Sequence, residues 1–142
     1  MTPWTALLES LHSALIDELT ERHPEPKPTL GLPIRQANLT LPRAQLSVLA
    51  VEFSFDNGRG LVMVASEAGF MRALELTPLN FWKAIVKRAG SEFMRRFIKP
   101  KSGAVRELKL GEPIPENWIH PSRVVWIPFQ LPQGTCFLGM AV

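Results

Sequence analysis

The chain has 142 residues, the size of one compact domain, and its 46% apolar and 20% charged content suits a packed core and not a disordered chain. No apolar run approaches the roughly 20 residues that cross a bilayer, and the start Met1-Thr2-Pro3-Trp4 lacks a basic leader region. A lone Cys136 excludes an internal disulfide framework and a multi-cysteine zinc site, and the net charge of +3 is small. The expectation is a cytoplasmic protein with one domain over residues 1–142.

In chain order, Thr2-Pro3 is a helix start: the hydroxyl can cap free amides and proline suits the first turn. Trp4, Leu7, Leu8, Leu11, Ala14 and Leu15 then recur at helical spacing, which predicts an amphipathic helix to about Arg22. Pro24, Pro26 and Pro28 stop it and make residues 23–33 an extended connection. A short strand is expected at about residues 37–41. The run 46–55, the turn Asp56-Asn57-Gly58-Arg59-Gly60 and the run 61–65 predict a hairpin. Alternation places Val51, Phe53 and Phe55 on one face and Glu52 and Ser54 on a wet one.

Ser66 is the expected cap of a short helix to about Leu76. Thr77-Pro78 repeats the earlier start, and Leu79, Trp82, Ile85, Val86, Ala89, Phe93 and Phe97 trace the buried stripe of a second long helix ending before Pro100. Its outer face would carry Asn80, Lys83, Lys87 and Ser91. Three further strands are expected at 105–110, 123–129 and 135–142, the last two joined at Gln133-Gly134. The fold class is α+β, a single domain with two long helices on one face of a largely antiparallel sheet.

Charge is unevenly spread. Residues 1–25 hold Glu9, Asp17, Glu18, Glu21 and Glu25 against Arg22, whereas residues 83–101 hold Lys83, Lys87, Arg88, Arg95, Arg96, Lys99 and Lys101 against Glu92. The basic stretch is either a solvated helix face or a surface for an acidic protein or nucleic acid. No nucleic-acid motif accompanies it, so nucleic acid is the weaker reading.

Catalytic signals are sparse. His12, His23 and His120 make no metal spacing with one another or with Cys136, and no cofactor is expected. Cys136 in an apolar strand reads as inert packing. Glu112 and Glu116 flank prolines in a loop, a poor acid–base pair. Trp4, Trp82 and Trp126 read as core, and Trp118 is the one suited to an interface. The apolar run Phe137, Leu138, Met140 and Val142 reaches the end of the sequence, so the last strand must be covered or paired, and as an edge it would make a homodimer.

The order of elements, with the segments Leu79-Asn80-Phe81-Trp82-Lys83-Ala84-Ile85-Val86-Lys87-Arg88-Ala89-Gly90-Ser91-Glu92-Phe93, Leu108-Lys109-Leu110-Gly111-Glu112-Pro113 and Val124-Val125-Trp126-Ile127-Pro128-Phe129, resembles the CheC/CheX/FliM-type family. The resemblance covers most of the chain and implies bacterial chemotaxis or motility signalling, with a response regulator or motor protein as partner. Active members use a glutamate and an asparagine three residues apart on an exposed helix face; the asparagine orients water against the partner's aspartyl phosphate, and the magnesium is the partner's. This sequence contains no E-x-x-N, and the matching positions are Phe81 and Ala84 or, one residue earlier, Asn80 and Lys83. The resemblance therefore implies a non-catalytic binding or assembly module, with Asn80, Lys83 and Lys87 as the partner face. The alternatives are an active aspartyl-phosphate phosphatase with a displaced site, or a nucleic-acid binder using the basic helix.

Overall fold

The computed structural model describes residues 3–24, 27–37, 41–42, 46–55, 58–90, 105–108 and 123–141. The expected features at Thr2, Phe93, Phe97, Glu112, Glu116, Trp118 and His120 lie outside the described residues. Helix α1 spans Pro3–Arg22, α2 Ala68–Leu74 and α3 Pro78–Ala89; strands are β1 Thr29–Leu30, β2 Ile34–Gln36, β3 Ser47–Phe55, β4 Gly58–Ser66, β5 Val105–Leu108, β6 Val124–Leu131 and β7 Gly134–Ala141.

All pairings are antiparallel, in the order β1-β6-β7-β4-β3-β5, with β2 also against β6. The α+β expectation holds, with two helices longer than ten residues and a short third between them. The last strand is not an edge: β7 pairs with β4 on one side and β6 on the other. That corrects the surface expected for self-association, because both rows of β7 backbone groups are already used.

The helices cover one face of the sheet. Leu7, Leu11, Leu15 and Leu19 of α1, Phe70 and Leu74 of α2, and Phe81 and Ile85 of α3 share a core with Leu49, Val51, Val62, Val64, Phe129 and Leu138. Each fully buried aliphatic or aromatic side chain there contributes roughly 1.5–3 kcal/mol through removal from water. The opposite face is buried as well, with Val48, Ala50, Leu61, Met63, Ala65, Trp126 and Phe137 in a second cluster and Leu41 packed against it. The first half of β3 is buried on this face too, with Val48 and Ala50 at most 2% exposed; the side chains of Glu52 and Ser54, where the wet side is expected, lie outside the described residues.

An early strand lies at Ile34–Gln36 against β6, while residues 38–40 of the strand expected at 37–41 lie outside the described residues. Two local features differ from the sequence reading. Helix α3 ends at Ala89, where Gly90 takes φ 94° and donates its amide to the Val86 carbonyl. Ser66 is not the cap: it ends β4, and Glu67 holds the N-cap position of α2 without capping it through its side chain. The Ser66 hydroxyl is buried without a hydrogen-bond partner among the described residues.

Trp126 organises the second face. Its ring lies over Gly139, its cross-strand partner, and meets Phe137 edge-on at 6.4 Å between centroids. Its indole nitrogen donates to Gln36 Oε1 at 3.2 Å, which ties β2 to the sheet. A Cβ at position 139 would overlap the six-membered part of that ring.

The edge beside β6 changes register midway. Leu30 stands opposite Phe129, but Ile34 stands opposite Trp126, so residues 31–33 face one residue fewer on β6. The break falls at Pro128, which has no amide to donate and whose carbonyl accepts from the Gly31 N–H at 2.9 Å. It splits one strand into β1 and β2.

Two substitutions test this packing by chemical denaturation. Gly139→Ala should lower the unfolding free energy by about 2–3 kcal/mol, since the Trp126 ring cannot move without disturbing Phe137. Ser66→Ala should raise it by about 1 kcal/mol, because an unpaired buried hydroxyl is removed and little volume is lost.

Candidate functional site

The sequence residues singled out for partner binding all lie on α3. Thr77 adopts an extended conformation at the N-cap, its hydroxyl accepts from the Asn80 amide at 3.2 Å, and Pro78 follows at the first helical position. At 100° per residue, Asn80, Lys83 and Lys87 fall within an arc of about 60°. All three are exposed, while Phe81, Trp82 and Ile85 turn into the core. Of the two registers the resemblance allows, Phe81–Ala84 places a fully buried side chain first, and Asn80–Lys83 places two exposed ones.

Asn80 offers a carboxamide, and Lys83 and Lys87 offer ammonium groups with no carboxylate partner among the described residues. Such a stripe can bind carboxylates or phosphate oxygens as point charges and accept or donate hydrogen bonds at Asn80. It holds no acid and no general base.

The other cation of this helix is committed elsewhere. Arg88 crosses to α1, where its Nε donates to Glu18 Oε2 at 2.9 Å and its Nη2 to Glu21. Glu18 also accepts from Arg22 Nε at 2.5 Å, one helical turn further along α1. Glu18 is only 7% exposed. Burial alone would raise its carboxyl pKa, but the hydrogen bonds and charges of Arg22 and Arg88 outweigh this and hold it below the usual carboxylate range. The sequence carries the signal as complementary charge, acidic in residues 1–25 and basic from Lys83 onward, but not the partner: charge alone groups Arg88 with Lys83 and Lys87.

The remaining candidates separate. His12 is half-buried, its ring 5.8 Å from that of Phe129, and burial lowers its pKa. His23 follows α1 and its amide donates to the Leu19 carbonyl. Cys136 is fully buried opposite Ser66, and burial pushes its thiol far above the range in which a thiolate forms. Among the described residues no three His, Cys, Asp or Glu side chains gather as a metal site, and no helix is long and apolar enough to cross a membrane.

The Glu18 cluster makes the fold acid-sensitive with a definite sign. A lowered folded-state pKa means stability that is present above about pH 4.3, the unfolded value, and lost as pH falls through the folded one. His12, kept neutral by burial, adds a loss that begins as pH falls below about 6.5. Denaturation midpoints taken down the acid range should therefore fall in two stages. Glu18→Gln should cost roughly 1–3 kcal/mol at neutral pH, because two arginines lose their charged acceptor, and should erase the more acidic stage only.

No family model matches the chain, and no curated protein matches it either. Solved structures do. A CheC-like superfamily protein from Shewanella sp. PV-4 superposes with a TM-score of 0.64 at 13% identity, over 94% of this chain and 95% of that one. The chemotaxis protein CheX from Vibrio vulnificus gives 0.60 at 14% identity, over 93% and 95%. A chemotactic CheC-like protein from Shewanella oneidensis MR-1 gives 0.58 at 17% identity, over 94% and 93%. At these identities the similarity speaks for architecture, and it spans nearly the whole of each chain: this protein has the CheC/CheX-type fold.

Proposed function

We propose that the chain is a non-catalytic binding module of a bacterial chemotaxis or motility system, acting in the cytoplasm and contacting a response regulator or motor protein through the outer face of α3. The observation that carries this reading is the exposed stripe of Asn80, Lys83 and Lys87 on a CheC/CheX-type fold whose sequence contains no E-x-x-N. A carboxylate and a carboxamide are both needed to hold a phosphorylated partner and aim a water at it. Lysine at position 83 supplies neither group. What the stripe does supply is fixed positive charge beside one amide, and that matches the acidic rim around an aspartyl phosphate or a patch of carboxylates. A homodimer remains part of the reading, on a surface other than β7, and sedimentation at high protein concentration measures it.

Recovery of a response regulator or motor protein from native lysate, with and without a phosphoryl mimic, identifies the partner. With that partner in hand, Lys83→Glu/Lys87→Glu should weaken binding about tenfold or more at low salt and much less at 0.5 M salt, where charges are screened within a few Å. Equal binding by the double variant at low salt would remove this face. Phosphate release from the partner should not rise above its own rate when the chain is added. A rate that does rise, and is lost in Asn80→Ala, would make the protein a phosphatase with a displaced site.

A further inference from the structure

The described surface concentrates its large exposed apolar side chains in one place. Leu32 is 87% exposed, Leu30 49% and Ile34 37%, and all three belong to the β1–β2 edge. No strand pairs with the outer side of β1 or β2 among the described residues. The register shift opposite Pro128 sets Leu30 and Ile34 on opposite faces of the sheet, since Phe129 and Trp126 face opposite ways, and leaves Leu32 at the break between them. The edge is basic: Lys27 precedes it, Arg35 lies in β2, and Arg123 stands next to Val124, the partner of Gln36; all three are exposed.

We propose that this edge captures an extended segment of another protein, apolar in its middle and carrying carboxylates at its ends, as an added antiparallel strand. Free backbone groups of an edge strand give the ladder, Leu32 gives an anchor on which the guest closes, and Lys27, Arg35 and Arg123 set the charge of the guest. Charge selects this occupant over a second copy of the chain. Two copies paired edge to edge would bring the same three cations of each onto one strip, whereas an acidic guest neutralises them. The surface is separate from α3.

The test uses a fluorescein-labelled nonapeptide of alternating valine and threonine with two aspartates at each end, and a control with lysines in their place. Anisotropy at low salt should show the acidic peptide bound and the lysine peptide at least about tenfold weaker. Leu32→Glu should weaken the acidic peptide by about tenfold or more with an unchanged thermal melt, because the side chain it replaces is almost wholly exposed. Amide exchange should slow in residues 29–36 on binding, and Lys83→Glu/Lys87→Glu should bind the peptide as the parent does. Equal binding of the two peptides, no binding at all, no effect of Leu32→Glu, or a concentration-dependent dimer that Leu32→Glu abolishes would each overturn the proposal.

Discussion

The structure depends on β7 being interior in every direction. It is hydrogen-bonded along both edges and buried on both faces, so each neighbouring element exists in part to complete its enclosure. The sequence Thr135-Cys136-Phe137-Leu138-Gly139-Met140-Ala141 has almost nothing polar to show to water. Side chains at 136, 138 and 140 enter the core beneath the helices, and those at 137 and 141 enter the opposite cluster. Two covers are then obligatory, and the glycine at 139 lets the larger of the two neighbouring aromatic systems lie flat across the strand.

The helical cover is fastened at two kinds of joint. At one end, the start of α2 is pressed on the β6–β7 turn: the Glu67 amide donates to the Thr135 carbonyl at 2.9 Å, and a Cβ on Gly134 would stand 2.9 Å from the Phe70 nitrogen. Only a residue without a side chain fits there. At the other, α1 and α3 are joined by the arginine–glutamate cluster around Glu18. Only Arg88 crosses between the helices, since Arg22 belongs to α1 with Glu18. The burial of Phe81, Trp82 and Ile85 decides which side chains α3 offers to solvent, and the Arg88 ion pairs add a polar tie to α1 at its far end.

How much of the fold is legible in the sequence follows from the range of each interaction. The period of Leu7, Leu11 and Leu15, the Thr77-Pro78 start and the β3–β4 hairpin are local, and they appear as expected. Non-local matters were less visible. The last apolar run reads as a strand that must be covered or paired, and it is both, but nothing in the string says that β4 and β6 are its neighbours. Ser66 has the right residue type for a cap, but the strand pairing with Cys136 claims it first. Gly90 ends α3 sooner than the apolar period suggests, because one left-handed residue outweighs a continuing stripe. Of the outer face that periodicity assigns to the helix, Asn80, Lys83 and Lys87 are exposed, and Ser91 lies outside the described residues. The pairing of Arg88 with α1 is not legible, since it joins residues 70 apart.

Pro128 has a consequence for assembly. An uninterrupted sheet edge can be copied without limit, each added strand offering the next a full row of donors and acceptors, which is the geometry of fibrils. Here the register shift opposite Pro128, with its extra residue at 31–33, breaks the exposed row after a few positions. A strand laid on this edge inherits the break and passes on a still poorer template. Growth by strand addition is self-terminating on this side of the molecule, so one proline lets a sticky edge be tolerated in a crowded cell.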